Sequence, residues 1–262
     1  MLLDVVLFIY YRIMINKYII GVDASNISSA GGLSHLVGLL KNADPVKHKF
    51  DYIVVWSSHS TLKQIEDRSW IIKISNELFD KNYIFRALWQ WFILGKLAKR
   101  NNCSILFVPG GSFLTQFWPS VTVCQNLIPF EWNEIKRYKI SLSSLKNIFL
   151  RLVQSYSFKR SSGTVFLSEY ARETVKKTTG NFQNKNLIIP HGLDQRFFKK
   201  PSIQKDIGTY NNKNPFQLIY VSSIEPYKHH QNVILAVRKL HDDGNKIALN
   251  IYGSTFSNSA RK

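Results

Sequence analysis

Short runs of β-branched and aromatic residues alternate with longer stretches of helical period, and that alternation limits what this chain can fold into more than any other feature. The short runs predict strands at 18–22, 52–56, 70–74, 105–108, 121–124, 163–167 and 187–189. Apolar spacings of three and four predict helices at about 32–41, 60–66, 83–100, 141–160 and 169–178. Strands separated by helices pair in parallel, because a crossover returns the chain to the same end of the sheet. The expected fold class is therefore α/β, with a doubly wound, Rossmann-like domain over residues 1–198. The polar segment 199–215 has two prolines and no apolar period, and reads as a linker. Beyond it come a strand at 217–221, a helix at about 228–242 and a strand at 248–252. Residues 216–262 thus hold one βαβ unit of a second Rossmann-like domain, expected to be incomplete, since a domain of ordinary size has on the order of 100 residues. Its apolar strand faces, such as Ile247 to Tyr252, are expected to be left open.

An apolar content of 45% against 20% charged residues excludes a disordered polybasic tail, so the net charge of +18 belongs to a folded protein. The charge is concentrated: residues 81–180 carry fifteen of the 35 basic groups and four of the 17 acidic ones. A surface of that kind fits something anionic, whether a phosphate-bearing substrate, lipid headgroups or nucleic acid. No nucleic-acid-binding motif accompanies the charge, and nucleic acid is not expected as a partner. Cys103 and Cys124 are too few for a disulfide framework or a four-ligand zinc site, which points to a reduced, cytoplasmic protein. The first twenty residues are apolar but interrupted by Asp4, Arg12, Asn16 and Lys17. Their longest clean run, Val5 to Tyr11, is far short of the roughly 20 residues a bilayer requires. Neither a membrane span nor a cleaved secretory signal is expected there. Residues 1–13 read as an extra strand or as sequence ahead of a start at Met14.

Two helices carry alternatives. Residues 83–100 are apolar nearly all round, with Trp89 and Trp91 and a basic end at Lys96, Lys99 and Arg100. Burial between sheet and neighbouring helices is one reading, and contact with a membrane interface is the other. In 141–160 the spacing of Leu142, Leu145, Phe149, Leu152 and Tyr156 predicts that this face packs on the core, leaving a solvated basic face. Contact with anionic lipid is the alternative for that helix as well.

The candidate site residues cluster where strands end. After the first strand and Asp23 come Gly31 and Gly32 before a helix, a place where backbone and unpaired N–H groups can approach an anion. A plain turn with a positive φ is the simpler reading, and neither a dinucleotide fingerprint nor a phosphate-loop Gly-Lys-Ser/Thr is present. Gln125, Asn126 and Glu131 follow the fifth strand, where amides and a carboxylate can hydrogen-bond a polyhydroxylated substrate; loop capping explains Glu131 equally well. His191 and Gly192 follow the seventh strand. Ser223 and Lys228 follow the next strand, and Lys228 beside a helix N-terminus is a combination that can hold a diphosphate. By strand-end position these groups are expected to line a cleft between two α/β domains. His229 and His230 are adjacent, so on a helix they point apart and do not make a metal pair.

The order of six motifs resembles the front part of a retaining glycosyltransferase of the GT-B type, the "glycosyl transferases group 1" family. They are Ala30-Gly31-Gly32-Leu33, Phe107-Val108-Pro109-Gly110-Gly111, Gln125 to Glu131, Val165 to Ala171, Ile189 to Asp194, and Tyr220 to Lys228. The resemblance implies transfer of a sugar from a nucleotide-sugar donor to a saccharide or lipid-linked acceptor, with retention and without a cofactor or metal. The leading reading is a place in surface polysaccharide synthesis, in the cytoplasm or peripherally at the inner membrane face, and the basic excess of residues 81–180 adds an anionic membrane surface as an expected partner. Lys228 matches the family's lysine that neutralises the leaving diphosphate, and Gly31 and Gly32 match the loop facing donor phosphate and acceptor. The chain departs from the family in having Ser223 where many members have arginine, and Gln125-Asn126 where many have His-Asp. The family's Glu-(seven residues)-Glu motif has no counterpart after Lys228, since the last glutamate is Glu225. The expectation is a chain truncated in its second domain, and an inactive remnant that at most binds is the alternative to an active transferase.

Overall fold

Seven parallel strands form the main sheet of the computed structural model, which describes residues 18–28, 30–80 and 83–254. The readings of residues 1–13 lie outside the described residues. The sheet contains β1 (Ile19–Asp23), β2 (Tyr52–Trp56), β3 (Ile71–Ile74), β4 (Cys103–Val108), β5 (Ser120–Cys124), β6 (Gly163–Phe166) and β7 (Lys185–Ile188), in the order β3-β2-β1-β4-β5-β6-β7. This is the doubly wound α/β order, which reverses between β1 and β4. Helices α1 (Ala30–Asn42), α2 (His59–Leu62), α3 (Tyr83–Trp89), α4 (Gly95–Arg100), α5 (Trp132–Arg137), α6 (Leu142–Arg160) and α7 (Glu169–Thr179) lie between strands. A π-helical turn, Gln90–Leu94, joins α3 to α4.

The period of two in β2 supplies both sides of the sheet. Val54 and Trp56 enter one core with Phe79, Trp89, Leu94 and Leu106, while Ile53 and Val55 enter the other with Val22, Leu36 and Leu40. Gly21 in β1 lets the buried Trp56 ring approach closely, because a Cβ there would stand 2.8 Å from Trp56 Cζ3. Cys103 and Cys124 are buried free thiols, which burial pushes up to about 11 and about 12.

The apolar stripe expected to pack α6 on the core faces outward instead. Leu142, Leu145, Phe149, Leu152 and Tyr156 are all exposed, whereas Gln154, Ser157 and Phe158 are buried. The reason is close approach. The Ser157 hydroxyl accepts from the Phe113 N–H at 3.0 Å, and its proton lies within reach of Phe113 O at 2.9 Å and Val153 O at 2.8 Å. At Gly111, where φ is +77°, a Cβ would stand 3.0 Å from Val123 O and 3.3 Å from Gln154 Nε2. Leucines on this face would have no room beside that backbone.

Contacts divide the chain into two units. One holds the described residues up to Phe130 together with Phe149–His191, and the other holds Glu131–Ile148 with Gly192 onward. The second unit contains a parallel pair, β8 (Phe216–Val221) and β9 (Ile247–Tyr252), joined by α8 (His230–Asp242). Its exposed apolar strand residues on β8 are Ile219 and Val221, whereas β9 starts at a buried Ile247 and exposes only Tyr252. The open apolar face is therefore on β8 rather than along Ile247 to Tyr252, because α8 packs on β9.

Candidate functional site

In the first unit, the carboxyl ends of β1, β4, β5 and β7 bring together groups that are far apart in sequence. Asp23 closes β1 and is buried. Its Oδ1 accepts from the Ser25 N–H at 3.1 Å and the Ser25 hydroxyl at 2.6 Å, and its Oδ2 accepts from Gln90 Nε2 at 2.6 Å. Gln90 reaches Asp23 from the π-helical turn, and Arg86 donates to Ser25 O at 3.4 Å. Burial raises the Asp23 carboxyl above its ordinary value against the pull of these donors. A raised folded-state value means that the protonated form favours folding below about pH 3.8, and that this contribution is lost as pH rises through the folded value. The Asp23→Asn variant, with Gln90 turned to present its oxygen, lacks that loss. Its melting temperature should therefore gain on the parent's as pH rises from about 4 to 7. A difference that stays constant, or that shifts in the parent's favour as pH rises, would refute the assignment.

Gly31 and Gly32 lie inside the first turn of α1 rather than in the loop before it, and neither has a positive φ. A plain positive-φ turn therefore does not account for them. Outside its own chain neighbours and helix backbone, no atom of the described residues lies within 4 Å of where a Gly31 Cβ would stand, and at Gly32 the nearest is Gln125 Oε1 at 3.6 Å. One turn further along α1, His35 Nδ1 sits 2.7 Å from Gln125 Nε2, and the His35 ring meets the His191 ring edge-on at 4.5 Å between centroids. Burial first, then His191, hold His35 below the usual imidazole range. Gly32, Gln125 and His191 thus gather around His35, which sequence reasoning did not select although it lies three residues beyond the paired glycines. Asn126 accepts from the Ile128 N–H at 3.2 Å, a local turn contact.

The second unit assembles the other candidates. Glu131 precedes α5, and its carbonyl accepts from Glu134 and Ile135 N–H groups. Helix α5 packs against the 3-10 turn Pro226–Lys228. The Tyr138 hydroxyl lies 3.5 Å from Glu225 Oε2, and Glu134 Oε1 lies 3.6 Å from His229 Nε2. Burial, then Glu225, raises the Tyr138 hydroxyl, so it stays a donor. His229 is left-handed, with φ 55°, and places α8 directly after Lys228. Lys228 Nζ lies 4.9 Å from the centroid of the Tyr227 ring, and Lys228 has no ion-pair partner among the described residues. The Tyr220 hydroxyl donates to Lys228 O at 2.6 Å and fixes the turn. Ser223 follows β8, where its carbonyl accepts from the Ser222 hydroxyl at 3.2 Å. Gly192 is exposed in open space. His230 packs against the Tyr220 ring at 4.9 Å while His229 faces Glu134, so the two imidazoles have separate surroundings.

The fold defines a doubly wound, Rossmann-like α/β protein. No family model matches the chain, and no curated protein matches it in sequence. Among solved structures it is similar to sucrose-phosphate synthase from Thermosynechococcus elongatus, with a TM-score of 0.52 and 10% identity over 94% of this chain and 72% of that one. That likeness establishes the fold. Two others cover the same 94% of the chain at a TM-score of 0.45. They are a glycosyltransferase from Rickettsia africae, at 15% identity over 70% of its length, and MnaA from S. aureus in a structure with UDP, at 14% identity over 64%.

Proposed function

We propose that the protein is a glycosyltransferase that takes a sugar from a nucleotide-sugar donor and passes it to a saccharide or lipid-linked acceptor with retention. The observation that carries this reading is positional. Each of the six motifs of the resemblance either spans or follows the carboxyl end of a parallel strand: β1, β4, β5, β6, β7 and β8. Open α/β sheets bind ligands at those ends.

In this reading the acceptor oxygen bonds to the anomeric carbon while the bond from that carbon to the diphosphate breaks on the same face. The acceptor's proton leaves with the diphosphate. Lys228 and the first N–H groups of α8 stabilise the charge that develops there, which is the role a metal plays in other transferases. Gln125, His191 and the open space at Gly31 receive the acceptor, and Glu131 hydrogen-bonds sugar hydroxyls. The test is incubation of purified protein with a panel of nucleotide sugars, labelled in the sugar, and with saccharide or lipid-linked acceptors. Labelled product with the donor's anomeric configuration is expected. Product of inverted configuration would overturn the retaining chemistry. Nucleotide binding without any transfer would overturn the enzymatic reading in favour of a binding module.

A further inference from the structure

The outward faces of the α3–α4 rod and of α6 form one surface in the first unit. Tyr83 and Phe149 meet edge-on, with ring centroids 6.2 Å apart, and Trp91, Leu114, Gln116, Leu152, Val153 and Tyr156 line a hollow of about 380 Å³ between the two helices. Trp91 is 55% exposed, Phe92 60% and Leu152 65%, and the Trp91 and Phe92 rings stack at 5.8 Å. Leu88, Phe149 and Tyr156 extend the patch. Apolar exposure this dense marks an interaction site rather than ordinary surface.

Its charge identifies the partner. Neither residues 83–100 nor residues 142–160 contain an aspartate or a glutamate. Lys96, Lys99 and Arg100 stand at the end of the first helix, and Lys159 and Arg160 at the end of the second, all exposed. Arg160 donates to the Tyr156 hydroxyl at 2.6 Å and to Gln116, which holds a guanidinium at the rim of the hollow. A second copy of a chain with net charge +18 would bring like charge against this rim. No helix among the described residues is long and apolar enough to cross a membrane, so a bilayer would be met from its surface.

We propose that this surface docks on an anionic lipid bilayer, with Trp91, Phe92 and Leu152 entering the interface and the flanking lysines and arginines meeting the headgroups. Aromatic side chains favour that layer, and each basic residue near it adds roughly fivefold to binding. The inference stands apart from the proposed sugar transfer.

The experiment is co-sedimentation of the full chain with vesicles of phosphatidylcholine alone and of equal parts phosphatidylcholine and phosphatidylglycerol. Binding to the anionic vesicles alone is expected, falling as salt is raised to about 0.5 M. The combined Trp91→Ser, Phe92→Ser, Leu152→Ser variant should lose more than about tenfold in binding. The Lys96→Glu, Lys99→Glu variant provides a second reading through charge, and should lose binding on anionic vesicles by a similar factor. Equal binding to both vesicle types, or parental binding by the charge variant, would overturn the proposal. Parental binding by the apolar variant would overturn the surface assignment.

Discussion

Ser157→Leu is expected to destabilise the protein by about 3 kcal/mol, whereas Leu152→Ser should change its stability by less than about 0.5 kcal/mol. The asymmetry follows from which face of α6 is inward. Ser157 is fully buried, and its hydroxyl is the partner given to the Phe113 N–H. A leucine there must fit two further heavy atoms beside backbone at Phe113, a strain of about 1 to 3 kcal/mol. It also leaves that N–H without a hydrogen bond, for about 1 to 3 kcal/mol more. Leu152 is mostly solvent-exposed, so its truncation removes little buried area and only a small helix preference. Denaturant midpoints of the two variants against the parent decide the matter, with circular dichroism as the signal. Comparable losses, or a larger loss for Leu152→Ser, would show that the leucine face is the packed one.

That pair of variants also marks the limit of what the sequence discloses. All nine strands of the described residues were legible, because a run such as Tyr52 to Trp56 is too apolar and β-branched to be anything but a strand buried on both faces. The helix at 142–160 was legible as a helix, but its orientation was not. Leucines at spacings of three and four fix a stripe, and only the neighbouring backbone at Gly111 to Phe113 decides that serines face it. Helix α5 went unread because six residues are too few to show a period. The Asp23–Gln90 bond spans 67 positions and depends on a π-helical turn that no local pattern announces. Within the candidate site, strand-end motifs were legible from position alone. His35 was not, since its role comes from contact with Gln125 and His191 rather than from its neighbours in the chain.

On the proposed function, Lys228→Ala is expected to lower sugar transfer about a hundredfold while leaving the fold intact. The turn that presents Lys228 is held through its backbone, by the Tyr220 hydroxyl on Lys228 O and by the Lys228 N–H on Glu225 O at 2.9 Å, and both bonds survive truncation of the side chain. What the side chain itself contributes locally is the contact with the half-buried Tyr227 ring, worth about 0.5 to 2 kcal/mol. A departing diphosphate gains negative charge as its bond to the sugar breaks, so a fixed cation acts more strongly on the transition state than on the bound donor. The loss should therefore fall mainly on kcat, and Lys228→Arg should recover part of it by restoring the charge with a different shape. On the same proposal the dependence on Lys228 is heightened by Ser223, because a serine offers no cation to share the load. Steady-state kinetics of the three proteins, with thermal unfolding measured alongside, test the assignment. Turnover in Lys228→Ala within threefold of the parent at equal stability would remove Lys228 from the transfer chemistry.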